Sequence, residues 1–268
     1  MSATELNILV LEDSHTQAKA IERLLVMEGV RVETISSASD LVKSESLKSL
    51  DISAALIDVH FGNVSGLRLI GPLLQRWPGV AVAMMTANGK NDFEVLGEAR
   101  QLGAHYVMRK PFSRDDVKNF IADVHHIRKT GDRRKHVVVI DDSKTTCQIV
   151  SDLLAGYHYR VSTFQKGEDA MQQLSFDHVD AVLTDMQMPG MPGQELINLV
   201  RDVWKNVAIV AMSGRQCSPV ELKNADAFIP KPFGPDEIIK VLKKAISKHE
   251  HGDLPVIEDE LDIVQLDC

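Results

Sequence analysis

Residues 7–34 read NILVLEDSHTQAKAIERLLVMEGVRVET, and residues 136–163 repeat the pattern as HVVVIDDSKTTCQIVSDLLAGYHYRVST. The match sets Asp13 opposite Asp142, 129 positions further on. Three more pairs follow in the same order: ALIDVHFGNVSG (55–66) with VLTDMQMPGMPG (182–193), MMTANG (84–89) with AMSGRQ (211–216), and MRKPF (108–112) with IPKPF (229–233). A chain of 268 residues is long enough for two domains, each with its own core. The repeat divides it into two copies of one domain.

Within each copy short apolar runs alternate with longer amphipathic stretches, the pattern of an α/β domain with a parallel sheet. Five strands fit the first copy, near 8–11, 31–35, 54–57, 81–85 and 105–108, and five fit the second, near 137–140, 160–164, 181–183, 208–211 and 227–229. Near-continuous Val, Ile, Leu and Ala in the first, third and fourth strands predicts burial on both faces. Right-handed parallel connections then wind each copy into an open, doubly wound sheet whose active crevice lies at the strand carboxyl ends. The boundaries expected are 5–128 and 136–248, joined by the polar linker KTGDRRK at 129–135. A linker this short predicts a packed or semi-rigid pair. The last 20 residues, 249–268, leave the amphipathic pattern and read as an acidic tail without order of its own.

Hydrophobic residues make up 44% of the chain and charged residues 25%, as in globular proteins. The longest apolar runs, 80–85 and 137–140, are far too short to span a bilayer, and the start MSATELNILVLED lacks the basic, then apolar, order of a secretory leader. The three cysteines, Cys147, Cys217 and Cys268, have neither disulfide nor zinc spacing. A cytoplasmic protein without membrane insertion is expected. Residues 1–130 carry 15 basic and 16 acidic side chains and residues 131–250 the same, while 251–268 carry 0 and 6. Neither copy has the basic excess of a nucleic-acid-binding domain.

The motifs fall at strand ends. Glu12 and Asp13 close the first strand and Asp58 the third; Asp141, Asp142 and Asp185 do so in the second copy. Ionised carboxylates about 4 Å apart repel by roughly 4 kcal/mol per pair at an effective dielectric near 20, so such a pocket calls for a cation. Mg²⁺, a hard ion that bridges carboxylates to phosphoryl oxygens, suits it. Lys110 and Lys231 end the fifth strands, where an ammonium can hold the carboxylate before reaction and a phosphoryl oxygen after it. Thr86 and Ser213 end the fourth and supply hydroxyls for the same oxygen.

Four ordered motifs, found twice, resemble the receiver domain of two-component response regulators, over about residues 5–128 and 136–248. The resemblance implies two flavodoxin-like (βα)5 receivers in tandem with strand order 2-1-3-4-5. It implies that Asp58 and Asp185 accept a phosphoryl group from a histidine kinase or histidine phosphotransfer protein, and that Asp13 and Asp142 ligate Mg²⁺. Glu12 and Asp141 would act through metal-bound water, and the backbone carbonyls of His60 and Gln187 would complete the metal ligands. Such a protein is no enzyme beyond its own phosphorylation and dephosphorylation on aspartate, and it signals through protein contacts. Its kinase, its downstream partner and its oligomeric state are not written in the sequence.

The copies depart from the family pattern in different places. The first has Glu12 for the more usual aspartate and Gly62 where proline is usual, which suggests a looser loop. The place of the family's aromatic switch, three residues before the lysine, holds Val107 in the first copy and Phe228 in the second; strand alternation turns Tyr106 to the face opposite Val107. In the second copy Lys231 stands only 18 positions after Ser213, against 24 from Thr86 to Lys110, which leaves room for at most a stub of a fourth helix. Dimerisation through the fourth helix, fifth strand and fifth helix is therefore not expected of the second copy. Asp185 is the safer acceptor, and the first copy is the candidate pseudo-receiver, which would make the protein an adaptor or phosphate sink. An Mg²⁺-dependent phosphohydrolase with an aspartate nucleophile is the rival reading, but His60 and Gln187 stand where its second acid belongs. His125 and His126 read as a surface pair, Met84, Met85, Met108, Met186, Met188 and Met191 as packing, and Trp77 and Trp204 as anchors of the third helices.

Overall fold

Alternating runs become two five-stranded parallel sheets in a computed structural model, which describes residues 6–43, 46–87, 98–99, 101–176 and 178–250. The first sheet holds β1 (Asn7–Leu11), β2 (Arg31–Ile35), β3 (Ala54–Asp58), β4 (Ala81–Thr86) and β5 (Tyr106–Arg109), ordered β2-β1-β3-β4-β5. The second holds β6 (His136–Ile140), β7 (Arg160–Phe164), β8 (Ala181–Asp185), β9 (Ala208–Ser213) and β10 (Ala227–Pro230), ordered β7-β6-β8-β9-β10. Each is the expected 2-1-3-4-5 order, doubly wound. Helices α1 (His15–Met27), α2 (Ala38–Lys43), α3 (Leu67–Arg76) and α4 (Arg114–Thr130) belong to the first copy, and α5 (Lys144–Gly156), α6 (Gly167–Phe176), α7 (Gly193–Val203) and α8 (Pro235–Glu250) to the second.

Most strands run one or two residues further toward their carboxyl ends than the apolar runs indicate. Backbone pairing, and not side-chain polarity, ends a strand: Asp58 pairs with Met85, Thr86 with Arg109 and Ser213 with Pro230. The polar motif residues are thus held by the sheet itself and not by loops.

Both faces of each sheet are covered. On one face of the first, Ile57 and Met84 pack with Ile70 and Leu73 of α3; on the other, Ile8 and Val10 pack with Leu25 of α1 and Phe120 and Val124 of α4. In the second sheet Val137 and Val139 meet Leu154 of α5 and Leu242 of α8, while Val138 and Ile140 meet Leu174 of α6 and Ile197 of α7. Each such side chain contributes about 1.5–3 kcal/mol when fully buried. The serine after each acidic pair starts the next helix: Ser14 accepts the Gln17 N–H and Ser143 the Thr146 N–H. Trp77 caps the end of α3 and donates its indole N–H to the Leu50 carbonyl at 2.9 Å.

Helix α4 opens on a Ser113–Asp116 capping box and ends at Gly131, whose φ of 79° is the left-handed conformation glycine adopts freely. The chain between the copies is pinned. Arg133 makes two 2.7 Å hydrogen bonds to Asp180, and Arg134 pairs with the buried Asp123 of α4. Between β9 and β10, residues 214–226 form turns and no helix. The loop after Asp58, where Gly62 suggested looseness, is a small ribbon pairing His60 with Ser65 and Phe61 with Val64. Gly62, at φ 60°, supplies the left-handed residue that closes it.

Candidate functional site

Parallel winding brings the carboxyl ends of β1, β3, β4 and β5 to one edge, and the residues there meet. One oxygen each of Glu12, Asp13 and Asp58 lie within 4.8 Å of one another, as do those of Asp141, Asp142 and Asp185. In both sets the first acid is buried, at 1% exposure, while Asp13 and Asp142 are open to solvent. Asp58 and Asp185 lie between these extremes in role, nearly buried yet reached from the crevice, at 9% and 6% exposure.

The lysines sit among the acids. Lys110 hydrogen-bonds both Glu12 and Asp58 through its ammonium, and Lys231 lies 2.5 Å from Asp141 Oδ2 and 3.0 Å from Asp185 Oδ1. Their backbones are fixed as well: the Lys110 N–H donates to the Thr86 carbonyl and the Lys231 N–H to the Ser213 carbonyl, each at 2.8 Å. Thr86 and Ser213 are themselves buried, at strand ends adjacent to those that carry Lys110 and Lys231. Backbone donors hold the second oxygen of Glu12, Asp141 and Asp58. Ser14 N–H donates to Glu12 at 3.1 Å, Ser143 N–H to Asp141 at 2.9 Å, and His60 N–H to Asp58 at 2.9 Å.

Burial pushes the Glu12 carboxyl above the usual carboxylate range even though the Lys110 ammonium pulls it back. For Lys231 burial acts downward, but hydrogen bonds to Asp141 and Asp185 outweigh it and hold the ammonium above its usual range. Three carboxylates against one ammonium leave each pocket net negative and lined by hard oxygen donors, a set that fits a hard divalent cation and not a soft one.

His60 and Gln187 are exposed, two residues beyond Asp58 and Asp185. Val107 packs in the core beside α3, while Tyr106 lies on the opposite face against Phe120, ring edge to ring face at 6.2 Å. Phe228 is half-buried against the cluster around α7. His125 is exposed, whereas His126 faces His158 of the other copy, with ring centres 6.1 Å apart.

Two site residues escaped the sequence reading. Gly66 and Gly193 stand eight positions after Asp58 and Asp185, where the chain crosses back over the aspartate's own backbone. A Cβ on Gly66 would lie 2.1 Å from the Asp58 carbonyl oxygen, and one on Gly193 2.3 Å from that of Asp185. The signal was present: both glycines end the matched motifs ALIDVHFGNVSG and VLTDMQMPGMPG.

The fold and these paired pockets define an α/β phosphoacceptor module present twice. The response regulator receiver domain model matches residues 8–122 and again 137–243, and the chain belongs to that family. A two-component response regulator of Oryza sativa is 32% identical over 121 residues, covering 42% of this chain and 92% of its own length. The DNA-binding transcriptional regulator NtrC of Escherichia coli is 26% identical over 127 residues, 46% of this chain but only 27% of NtrC. Among solved structures, a putative two-component system response regulator/GGDEF domain protein matches at 24% identity with a TM-score of 0.40, over 92% of this chain and 100% of that one. Receiver domains accept phosphoryl groups on aspartate, generally with Mg²⁺, from histidine kinases or phosphotransfer proteins. No helix among the described residues is long and apolar enough to cross a membrane.

Proposed function

We propose that both receivers are phosphorylated, at Asp58 and at Asp185, and that the protein signals through the contacts these modifications change. The observation that carries this reading is the lysine ammonium lodged against the acceptor carboxylate at the end of the fifth strand, in both copies. In each, the carboxylate oxygen that the lysine does not hold attacks phosphorus, the bond from phosphorus to the donor imidazole breaks, and its electron pair stays on that ring. Lys110 or Lys231 then moves from carboxylate to phosphoryl oxygen, where Thr86 or Ser213 donates its hydroxyl. Asp13, Asp58 and the His60 carbonyl, or Asp142, Asp185 and the Gln187 carbonyl, would hold Mg²⁺, with Glu12 and Asp141 reached through water. When bound, the ion neutralises the facing carboxylates and orients the incoming phosphoryl oxygens.

The test is labelling with acetyl phosphate and Mg²⁺, read as intact mass on wild type, Asp58→Ala and Asp185→Ala. Two phosphoryl groups on wild type and one on each variant are expected. Loss of all label in Asp185→Ala alone would make the first receiver a pseudo-receiver and the protein an adaptor or sink; label unaffected by either change would end the proposal. Label that turns over without accumulating would favour the phosphohydrolase reading.

A further inference from the structure

Strands β2 and β7 occupy the same place in their sheets and have nearly the same sequence, RVETI and RVSTF. Their surroundings differ. Three of the five residues of β2 are exposed, whereas all five of β7 are half-buried. Nothing in the residues themselves explains this, so something covers β7.

The cover is the first receiver. A cleft of about 200 Å³ is walled on one side by β5 and α4, with Tyr106, Met108 and Asp123 among its residues, and on the other by Arg160, Ser162 and Phe164 of β7. The Arg160 guanidinium lies 5.8 Å from the centre of the Tyr106 ring, within reach of a cation–π contact. The His126–His158 contact bridges the same two bodies, and Arg134 ties the linker to α4 through Asp123 and through the Asn119 carbonyl at 3.1 Å. The Tyr106 hydroxyl is buried there with no hydrogen-bond partner among the described residues.

Both walls of the cleft end in an acceptor pocket. At the carboxyl end of β5, Arg109 pairs with Thr86 and is followed by Lys110, which holds Asp58. At the carboxyl end of β7, the Phe164 carbonyl accepts the Asp141 N–H at 3.1 Å, and Asp141 holds Lys231. From Asp58 to Asp185 the path therefore runs through Lys110 and β5, across the cleft at Tyr106 and Arg160, and on through β7, Asp141 and Lys231.

From this we infer that the interaction partner of the first receiver's β5–α4 face is the β7 edge of the second receiver in the same chain, and that phosphorylation of Asp58 is read there, in cis. The inference rests on Asp58 being an acceptor, as proposed above. Displacement of Lys110 toward a phosphoryl group shifts the end of β5, and β7 forms the opposite wall of the cleft there. Coupling of this kind is reciprocal, so the state of Asp185 acts back on Asp58.

Amide hydrogen exchange on the full chain tests both parts. In the unmodified protein residues 161–164 are expected to exchange at least threefold more slowly than residues 32–35, and Arg160→Glu, a change on the surface of β7, should raise them toward the β2 rate; slow exchange that survives Arg160→Glu overturns the docking. In Asp185→Ala treated with acetyl phosphate and Mg²⁺, only Asp58 can be loaded, and exchange in β7 should change at least threefold. Unchanged exchange with Asp58 shown by mass to be loaded overturns the coupling alone, while absence of label at Asp58 overturns the reading beneath it as well.

Discussion

At their carboxyl ends the two sheets carry the same chemistry; at their amino ends they do not. Asp58 and Asp185, Lys110 and Lys231, and Thr86 and Ser213 hold matching places, each lysine pairs with the first-strand acid and the third-strand aspartate, and even the crossing glycines repeat. At the opposite end, the place before the third strand holds Ser53 in the first receiver, accepting from the Arg128 guanidinium at 2.8 Å, but Asp180 in the second, accepting from Arg133 and from the His136 N–H at 2.7 Å. The place before the fifth strand holds His105, whose Nδ1 accepts the Val82 N–H at 3.2 Å, but Asp226 in the second, accepting the Ile209 N–H at 2.7 Å and the Arg201 guanidinium at 2.6 Å. The same backbone N–H must be satisfied in both, and a hydroxyl, an imidazole or a carboxylate will do. Chemistry restricts one end of the fold, and hydrogen-bond accounting alone restricts the other.

Changing Asp180 gives the largest expected difference between the copies. Asp180→Ala leaves the half-buried Arg133 and a backbone N–H without their acceptor, at a cost of about 4 kcal/mol. Ser53→Ala removes a single neutral acceptor, for about 1 kcal/mol. Denaturant midpoints measure both, and equal costs would mean that the amino ends are not where the copies differ. The next effect should be shared. Gly66→Ala and Gly193→Ala each drive a Cβ into the Asp58 or Asp185 carbonyl oxygen and should cost about 3 kcal/mol, with Gly71→Ala as control, since nothing among the described residues lies within 4 Å of its added Cβ. Harmless replacement at either crossing would show that the two carboxyl ends are built differently after all.

A third change acts on rate. Lys110→Ala and Lys231→Ala should each slow acetyl phosphate labelling of their own acceptor about 100-fold, as loss of one preorganised charge at a reacting group does. An undiminished rate at Asp58 in Lys110→Ala would separate the two pockets that the geometry makes alike.

The fold was legible because the repeat let each copy check the other: burial of the central strands, their order and the four motif positions all follow from apolar runs that end in Asp, Thr, Ser or Lys. The acid cluster was legible for the same reason, since residues at the ends of adjacent parallel strands must converge. Gly66 and Gly193 were missed because a glycine beside a loop looks like an ordinary turn residue until the crossing chain is seen. The junction at Tyr106 and Arg160 was not legible at all. RVET and RVST read alike, and only the position of the other receiver makes one edge exposed and the other covered.

The smallest expected difference is in pH dependence, and it follows from the two amino ends. Burial, and then the Arg133 guanidinium, hold the His105 imidazole below its usual 6.5, and its Nδ1 accepts the Val82 N–H. His126 is shifted the same way, by burial first and then by Arg134 and His158. A histidine whose folded pKa is depressed favours the fold when neutral, so its contribution is complete above about 6.5 and is lost as pH falls through the lower folded value. At Asp180 burial acts upward, but His178, Arg133 and the His136 N–H outweigh it and hold the carboxyl well below its usual 3.8, so that contribution persists until pH drops below about 3.8. Between pH 7 and pH 5 the first receiver should therefore weaken while the second holds. Calorimetric scans across that range should show one transition moving to lower temperature, and His105→Gln, which keeps an acceptor for Val82 without a titrating ring, should reduce the movement. If the second receiver's transition moves as far, or if His105→Gln changes nothing, the amino ends differ in residue type without differing in what they do.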